Sequence, residues 1–288
     1  MKAIFSFKFQ YTYEGYDEQR FFNYARLAVL SASKFHKTHL YCDKKSEYYF
    51  QKLGIKFDQV TVLPEIENYN GDIFSMCKIY AMRQETEPYV HLDFDTFTNA
   101  PYSTSTVIGF GYPELDYKNR EMCLENIRYF NRAYYKPYLD KIQGKIFDVV
   151  ETTFDWRVIP NNSAIIVNNP KLIKTIFESI EKKYSELIHT NEGYGFSAMY
   201  IEQFLLARYL DYHKVDYSFI YPQSPIILKS SHTYKVFDET VTFTTMEAKT
   251  FLLNTVRFAH FHGYRNFPAF SGVVDKLYED YKPKQAVL

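Results

Sequence analysis

The 288-residue chain has little cysteine, no excess of charge, no long apolar run and no glycine-rich phosphate loop. Each absence removes a class of protein. Cys42, Cys77 and Cys123 are too few and too scattered for a disulfide framework or a thiolate metal site, and they fit a reducing compartment. Lys+Arg and Asp+Glu balance to a formal net charge of +0, so no global field draws the chain to nucleic acid or an anionic membrane. No stretch approaches the ~18 apolar residues that span a bilayer. The start, a short apolar run between Lys2 and Lys8, is not a signal peptide pattern. GxGxxG and GxxxxGK are both missing, which argues against a dinucleotide dehydrogenase and a P-loop ATPase. No repeat or low-complexity linker divides the chain. The expectation is one soluble, cytoplasmic domain over residues 1–288, long enough for a well-buried core.

What is abundant is aromatic: 28 Tyr and 26 Phe bring that class to 19%. A compositional bias toward Tyr, Phe, Lys and Asn accounts for many of these rings, and aromatic faces also stack on sugars and bases. The pattern of apolar residues then alternates in period. Residues 2–9 read as a strand and 10–17 as a loop. Phe21, Phe22, Ala25, Ala28, Val29 and Ala32 recur at helical spacing. A strand over 38–42, a helix over 45–53 stopped by Gly54, a strand over 57–63 and a helix over about 72–83 follow. Strands alternating with helices predict an α/β fold: a mixed, mostly parallel sheet flanked by helices, with ligands bound beyond the carboxyl ends of the strands.

One such end carries Tyr89-Val90-His91-Leu92-Asp93-Phe94-Asp95. In a strand, side chains two apart share a face, so Asp93 and Asp95 point one way and Phe94 the other. Two neighbouring carboxylates repel, and a hard divalent cation such as Mg²⁺ or Mn²⁺ removes the conflict. The plainer reading is a strand end whose aspartates cap the next turn or face water. Lys78, on the preceding helix, reads as a solvated helix lysine. The middle, about 109–156, is irregular and Tyr-rich, either a lid or an acceptor-side insertion. Ala164 to Val167 is a buried strand by its lack of alternation. Asn168 or Asn169 with Pro170 starts a helix running to about residue 189. Residues 199–212 read as a buried helix with Glu202 and Gln203 near its beginning, 217–228 as strand and turn, and 245–255 as a last helix. His260-Phe261-His262-Gly263 comes next, with a tail that is helical at most.

Read in order, LDFDTF (92–97), NNSAIIVN (161–168), IEQFLLARYL (201–210) and HFHG (260–263) resemble the motifs of GT-A fold glycosyltransferases. The likeness is strongest to glycosyltransferase family 8, the glycogenin-like and bacterial galactosyltransferase group, over roughly residues 1–100 and 155–270. The resemblance implies a nucleotide-binding half (1–108), an insertion or lid (109–156), and an acceptor half carrying a C-terminal metal motif (157–288). It implies that Asp93, Asp95 and His260 hold Mn²⁺ or Mg²⁺, with His262 as the alternative nitrogen. Asn162 and Gln203 would hydrogen-bond the donor sugar, and Glu202 would sit behind the reaction centre or hold a sugar hydroxyl. Phe9 and Tyr11 in the first loop would meet the nucleobase, and Lys78 and Arg265 the diphosphate. The implied partners are a UDP-linked or other nucleotide-sugar donor and a carbohydrate, lipid-linked or protein acceptor. The implied activity is hexosyl transfer with retained anomeric configuration.

The chain departs from the family pattern where Asn-Ala-Gly becomes Asn162-Ser163-Ala164, where the Asp of Asp-Gln becomes Glu202, and where Lys-Pro after His-x-x-Gly is replaced by Tyr264-Arg265. Donor sugar and stereochemistry are the properties these changes touch. Two other readings stand beside the transferase. A phosphatase of the haloacid dehalogenase type also uses Asp-x-Asp at a strand end, and a non-catalytic GT-A-like module would bind carbohydrate or protein through its aromatic surface.

Overall fold

The computed structural model describes residues 1–9, 18–70, 75–116, 158–188, 202–203, 205–221, 226–228, 233–236, 239–242, 250, 252–254, 256–261 and 268–281. In chain order these form β1 (Lys2–Phe7), α1 (Glu18–Ser33), β2 (Lys37–Cys42), α2 (Lys44–Lys52), β3 (Gln59–Val62), α3 (Pro64–Glu67), α4 (Met76–Arg83), β4 (Tyr89–Leu92), β5 (Thr96–Thr98), β6 (Ile108–Phe110), β7 (Pro113–Asp116), β8 (Val158–Pro160), β9 (Ala164–Val167), α5 (Pro170–Ile188), α6 (Leu206–Tyr212), β10 (Tyr217–Phe219), β11 (Ile226–Leu228), β12 (Thr233–Val236), β13 (Glu239–Thr242), β14 (Phe258–His260) and α7 (Pro268–Tyr281).

Local chemistry explains several boundaries. Asp43 caps α2 by accepting from the Ser46 backbone N–H at 3.2 Å. Gly54 ends that helix region at φ +67, a left-handed conformation that only glycine adopts without a Cβ penalty. At α5, Asn169 Oδ1 accepts from Leu172 N at 3.2 Å, and Pro170 opens the helix where no N–H is needed.

Strands from both halves of the chain build one seven-stranded sheet in the order β10-β6-β9-β4-β1-β2-β3. All neighbouring pairs are parallel except those of β9, which runs against β4 and β6. The sheet is therefore mixed and mostly parallel, as expected. Helices cover both faces: α4, α5 and α6 on one, α1 and α2 on the other. Every apolar position read as the buried stripe of α1 is buried.

The buried strand expected over 164–167 is present as β9, fully buried and antiparallel to both neighbours. Two expectations need correction. The first strand ends at Phe7, so Lys8 and Phe9 lie past it. Asp93-Phe94-Asp95 is not strand but the turn where the chain leaves β4 for β5. The tail contains a full 14-residue helix, α7, which packs Val273, Val274 and Leu277 against Tyr24 and Leu27 of α1. Most of the middle segment, residues 117–157, lies outside the described residues, as do parts of the helices expected over 199–212 and 245–255. No helix among the described residues is long and apolar enough to cross a membrane.

Under the sheet, the Glu85 carboxylate takes the Lys2 ammonium at 2.7 Å and the Tyr41 hydroxyl at 2.9 Å. His39 stands beside it, its Nε2 at 2.9 Å from Thr61 Oγ1. Burial, and then the Lys2 charge, pull the His39 imidazole down to about 4. A base whose folded-state value is depressed is kept neutral by the fold. Its contribution to stability is present above the unfolded value near 6.5 and is lost as pH falls toward 4. Between pH 7 and pH 5 this group should remove about 2 kcal/mol of stability. Thermal melts of the wild type and His39→Gln across that range check it: the variant should show the shallower pH slope, and identical slopes would refute the assignment.

Candidate active site

The fold brings Asp93, Asp95 and His260 together at the carboxyl end of β4. One ligand atom from each lies within 4.8 Å of the other two. Asp93 follows the last residue of β4, its backbone N–H donating to Ser163 O at 2.8 Å. Asp95 precedes β5. His260 arrives because β14 pairs antiparallel with β5, setting His260 opposite Thr96. The Phe261 N–H donates to Asp95 O at 2.7 Å and pins the two segments. His260 Nε2 then stands 3.4 Å from Asp95 Oδ1.

Phe94 is the anchor of the turn. It enters the opposite face of the sheet, stacked on Phe5 at 5.2 Å and Phe50 at 5.1 Å, with Phe7 and Phe21 at its edges. Burying that ring forces the flanking acids outward on the other side. The separation expected of a strand is thus achieved by a turn.

Lys78 is buried, not solvated. Its ammonium meets Asp93 Oδ1 at 2.9 Å, pairs with Glu202 Oε1, and donates to the Asn162 carbonyl at 2.9 Å. Burial disfavours the charged amine, but Asp93 and Glu202 more than offset that and hold it above the ordinary lysine value. Glu202, Gln203 and Leu205 form a π-helical turn that leads into α6. Asn162 Nδ2 donates to the Glu202 carbonyl at 2.6 Å, so the residue ahead of β9 and the residue ahead of α6 are tied together. Among the described residues, Asn162 Oδ1 is buried with no hydrogen-bond partner.

Phe9 lies away from this cluster's contacts, stacked on Tyr49 at 4.1 Å with the Lys45 ammonium 4.2 Å from its centroid. Tyr11, His262 and Arg265 lie outside the described residues. Three further groups touch the cluster and were not anticipated. His91 Nδ1 is 3.9 Å from Asp93 Oδ1, while its Nε2 meets Ser6 Oγ at 3.0 Å. Tyr112 and Asn161 contact His260. His91, two residues before Asp93, was legible from strand alternation; the other two had no local signal.

The donor set suits a divalent cation. Asp93 and Glu202 share the Lys78 ammonium, and Asp95 stands beside His260. Two carboxylates with one imidazole form a mixed oxygen and nitrogen set that could hold a divalent cation.

Comparison with known proteins gives structural likeness only. No family model matches the chain, and no curated protein matches its sequence. Among solved structures, the chain is similar to galactosyltransferase LgtC in complex with donor and acceptor sugar analogs. There the identity is 13% and the TM-score 0.47, covering 99% of this chain and 98% of the other. It is similar to mouse xyloside xylosyltransferase 1 in its apo form at 13% identity and TM-score 0.37, covering 76% and 84%. It is also similar to the glycosyltransferase GlyE of Streptococcus pneumoniae at 11% identity and TM-score 0.38, covering 76% of this chain and 45% of that one. At these identities and scores the likeness says nothing of substrate or activity.

Proposed function

We propose that this chain is a GT-A glycosyltransferase of the family 8 type, dependent on Mn²⁺ or Mg²⁺. It moves a hexose from a UDP-linked donor to a hydroxyl on a carbohydrate, lipid-linked or protein acceptor. The observation that carries the reading is the convergence of Asp93, Asp95 and His260 at the carboxyl end of a parallel strand, beside a buried Lys78. Asp93, Asp95 and His260 hold the cation. When bound, the cation stabilises as a Lewis acid the charge that builds on the departing diphosphate.

The remaining roles belong to the protein. Lys78 holds Asp93 and Glu202 in place and adds positive charge beside the diphosphate. Asn162 offers its buried Oδ1 to a sugar hydroxyl, with Gln203 as a second polar contact. Glu202 sits behind the reaction centre. Its Oε1 is already committed to Lys78, which leaves it poorly placed to take a proton from an acceptor hydroxyl. An inverting route needs such a base, so among the described residues Glu202 argues for retention. The first loop, with Phe9 and Tyr11, receives the base, and Arg265 reaches the diphosphate. On this reading His262 is not needed as a ligand.

Thermal unfolding tests the proposal. UDP alone should move Tm little. UDP with Mn²⁺ near 100-fold over its Kd should add about 2.7 kcal/mol, or roughly 4–5 °C for a chain of this size. Stabilisation by UDP that ignores Mn²⁺ would remove the cation from the site. Release of phosphate from simple phosphoesters, without sugar transfer, would make the chain a phosphatase.

A further inference from the structure

His260 is held from behind by two buried groups. Its Nδ1 lies 3.0 Å from the Tyr112 hydroxyl and 3.3 Å from Asn161 Nδ2. The direction of the Asn161 amide follows from its other end. Asn161 Oδ1 accepts from the Ser163 backbone N–H at 3.1 Å, and a backbone N–H only donates, so the NH₂ end faces the imidazole. With Nδ1 facing a donor, the neutral ring carries its proton on Nε2, aimed at Asp95 Oδ1 at 3.4 Å.

That tautomer cannot ligate through Nε2. For Nε2 to face a cation, the ring proton must reside on Nδ1, with no net gain or loss of protons. It then needs an acceptor on that side. The Asn161 NH₂ offers none, whereas a phenol oxygen both donates and accepts.

We propose that Tyr112 is a positioning residue for His260: its hydroxyl accepts the Nδ1–H when Nε2 faces a divalent cation, while Asn161 favours the opposite tautomer in the metal-free protein. This role rests on the cation reading given above.

The backbone is built to place Tyr112 there. A Cβ on Gly111 would stand 2.9 Å from Phe258 Cε1, so the residue before Tyr112 must be glycine for this segment to lie against β14. The Asn161 N–H donates to the Tyr112 carbonyl at 2.8 Å, just before the β7–β8 ladder that pairs Pro113 with Pro160. Metal-ligating histidines commonly donate their second N–H to such a partner, and losing it typically costs 10–100-fold in affinity.

The test uses the full-length chain and Mn²⁺ alone, with free Mn²⁺ followed by electron paramagnetic resonance. Tyr112→Phe should weaken Mn²⁺ binding by about 10–100-fold while the metal-free Tm stays close to wild type, because the ring is kept. Adding Asn161→Asp should restore binding, since a carboxylate in that place accepts the Nδ1–H that the amide cannot. A merely structural role for Tyr112 would not be rescued in this way. If Tyr112→Phe binds Mn²⁺ like wild type, or the double variant stays as weak as the single one, the role is overturned. His260→Ala separates the two layers. Loss of Mn²⁺ there with no effect of Tyr112→Phe removes only the role of Tyr112, whereas wild-type binding by His260→Ala removes the cation site as well.

Discussion

Asp95→Asn should lower sugar transfer by ~10³-fold or more while leaving the metal-free protein as stable as wild type or slightly more so. The two halves of this expectation have different causes. Asn has nearly the shape of Asp but no charge, so the cation loses one of two anionic ligands. If that weakens transition-state stabilisation by about 4 kcal/mol, the rate falls about a thousandfold. In the metal-free chain the same change relieves repulsion from Asp93, and the turn is still anchored by Phe94 among Phe5 and Phe50. Asp95 is a cleaner choice than Asp93, which also holds Lys78. Transfer assays with saturating Mn²⁺, paired with melts in a chelator, read both halves. Unimpaired transfer would remove Asp95 from the site. Lost activity accompanied by a large fall in the chelator melt would mean that its role is in the fold.

Lys78→Met should produce the opposite pattern: a large loss of metal-free stability, partly recovered by Mn²⁺. The ammonium neutralises Asp93 and Glu202 and satisfies the Asn162 carbonyl. Met matches the length of the side chain but leaves two buried or half-buried carboxylates facing each other. Breaking a buried pair by removing one partner costs about 3–5 kcal/mol, equivalent to roughly 5–8 °C in Tm for a chain of this size. A divalent cation on Asp93 supplies some of the missing positive charge, so added Mn²⁺ should raise the Tm of the variant by more than that of wild type. Equal Mn²⁺ responses would show that Lys78 and the cation site do not share charge. An unchanged metal-free Tm would show that its ion pairs contribute nothing net.

These two substitutions differ because Asp95 and Lys78 were legible to different degrees. The acid pair is local: two carboxylates one residue apart are visible in any reading of residues 92–97, and only the reason for their convergence, a turn rather than a strand, was hidden. Lys78 read equally well as a solvated lysine, since nothing within α4 reports the carboxylate of Glu202, 124 residues away. His260 was legible through its motif, although the pairing of β14 with β5 was not. Tyr112 and Asn161 carry no periodic or compositional mark. Their place beside His260 follows from the β7–β8 ladder and from a glycine whose close approach to Phe258 appears only in three dimensions. The direction of β9 was equally silent, because an apolar run states how deeply a strand is buried and nothing about which way it runs.

By itself the amino-acid order determined what is short-range. Apolar spacing chose helix or strand, Asp43 and Asn169 started helices, Gly54 ended one, and Asp93 and Asp95 could not lie more than a few ångströms apart. Tertiary structure decided which distant groups would surround those acids. Pairing of β14 with β5 carried His260 to the end of β4, and the contacts of Glu202 with Lys78 and Asn162 set it beside Asp93, where the neighbours gathered there give each charge its meaning. Hydrophobic spacing acts over a few residues of chain. The balance of charge at a site depends on separations in space, and these exist only once the sheet is assembled.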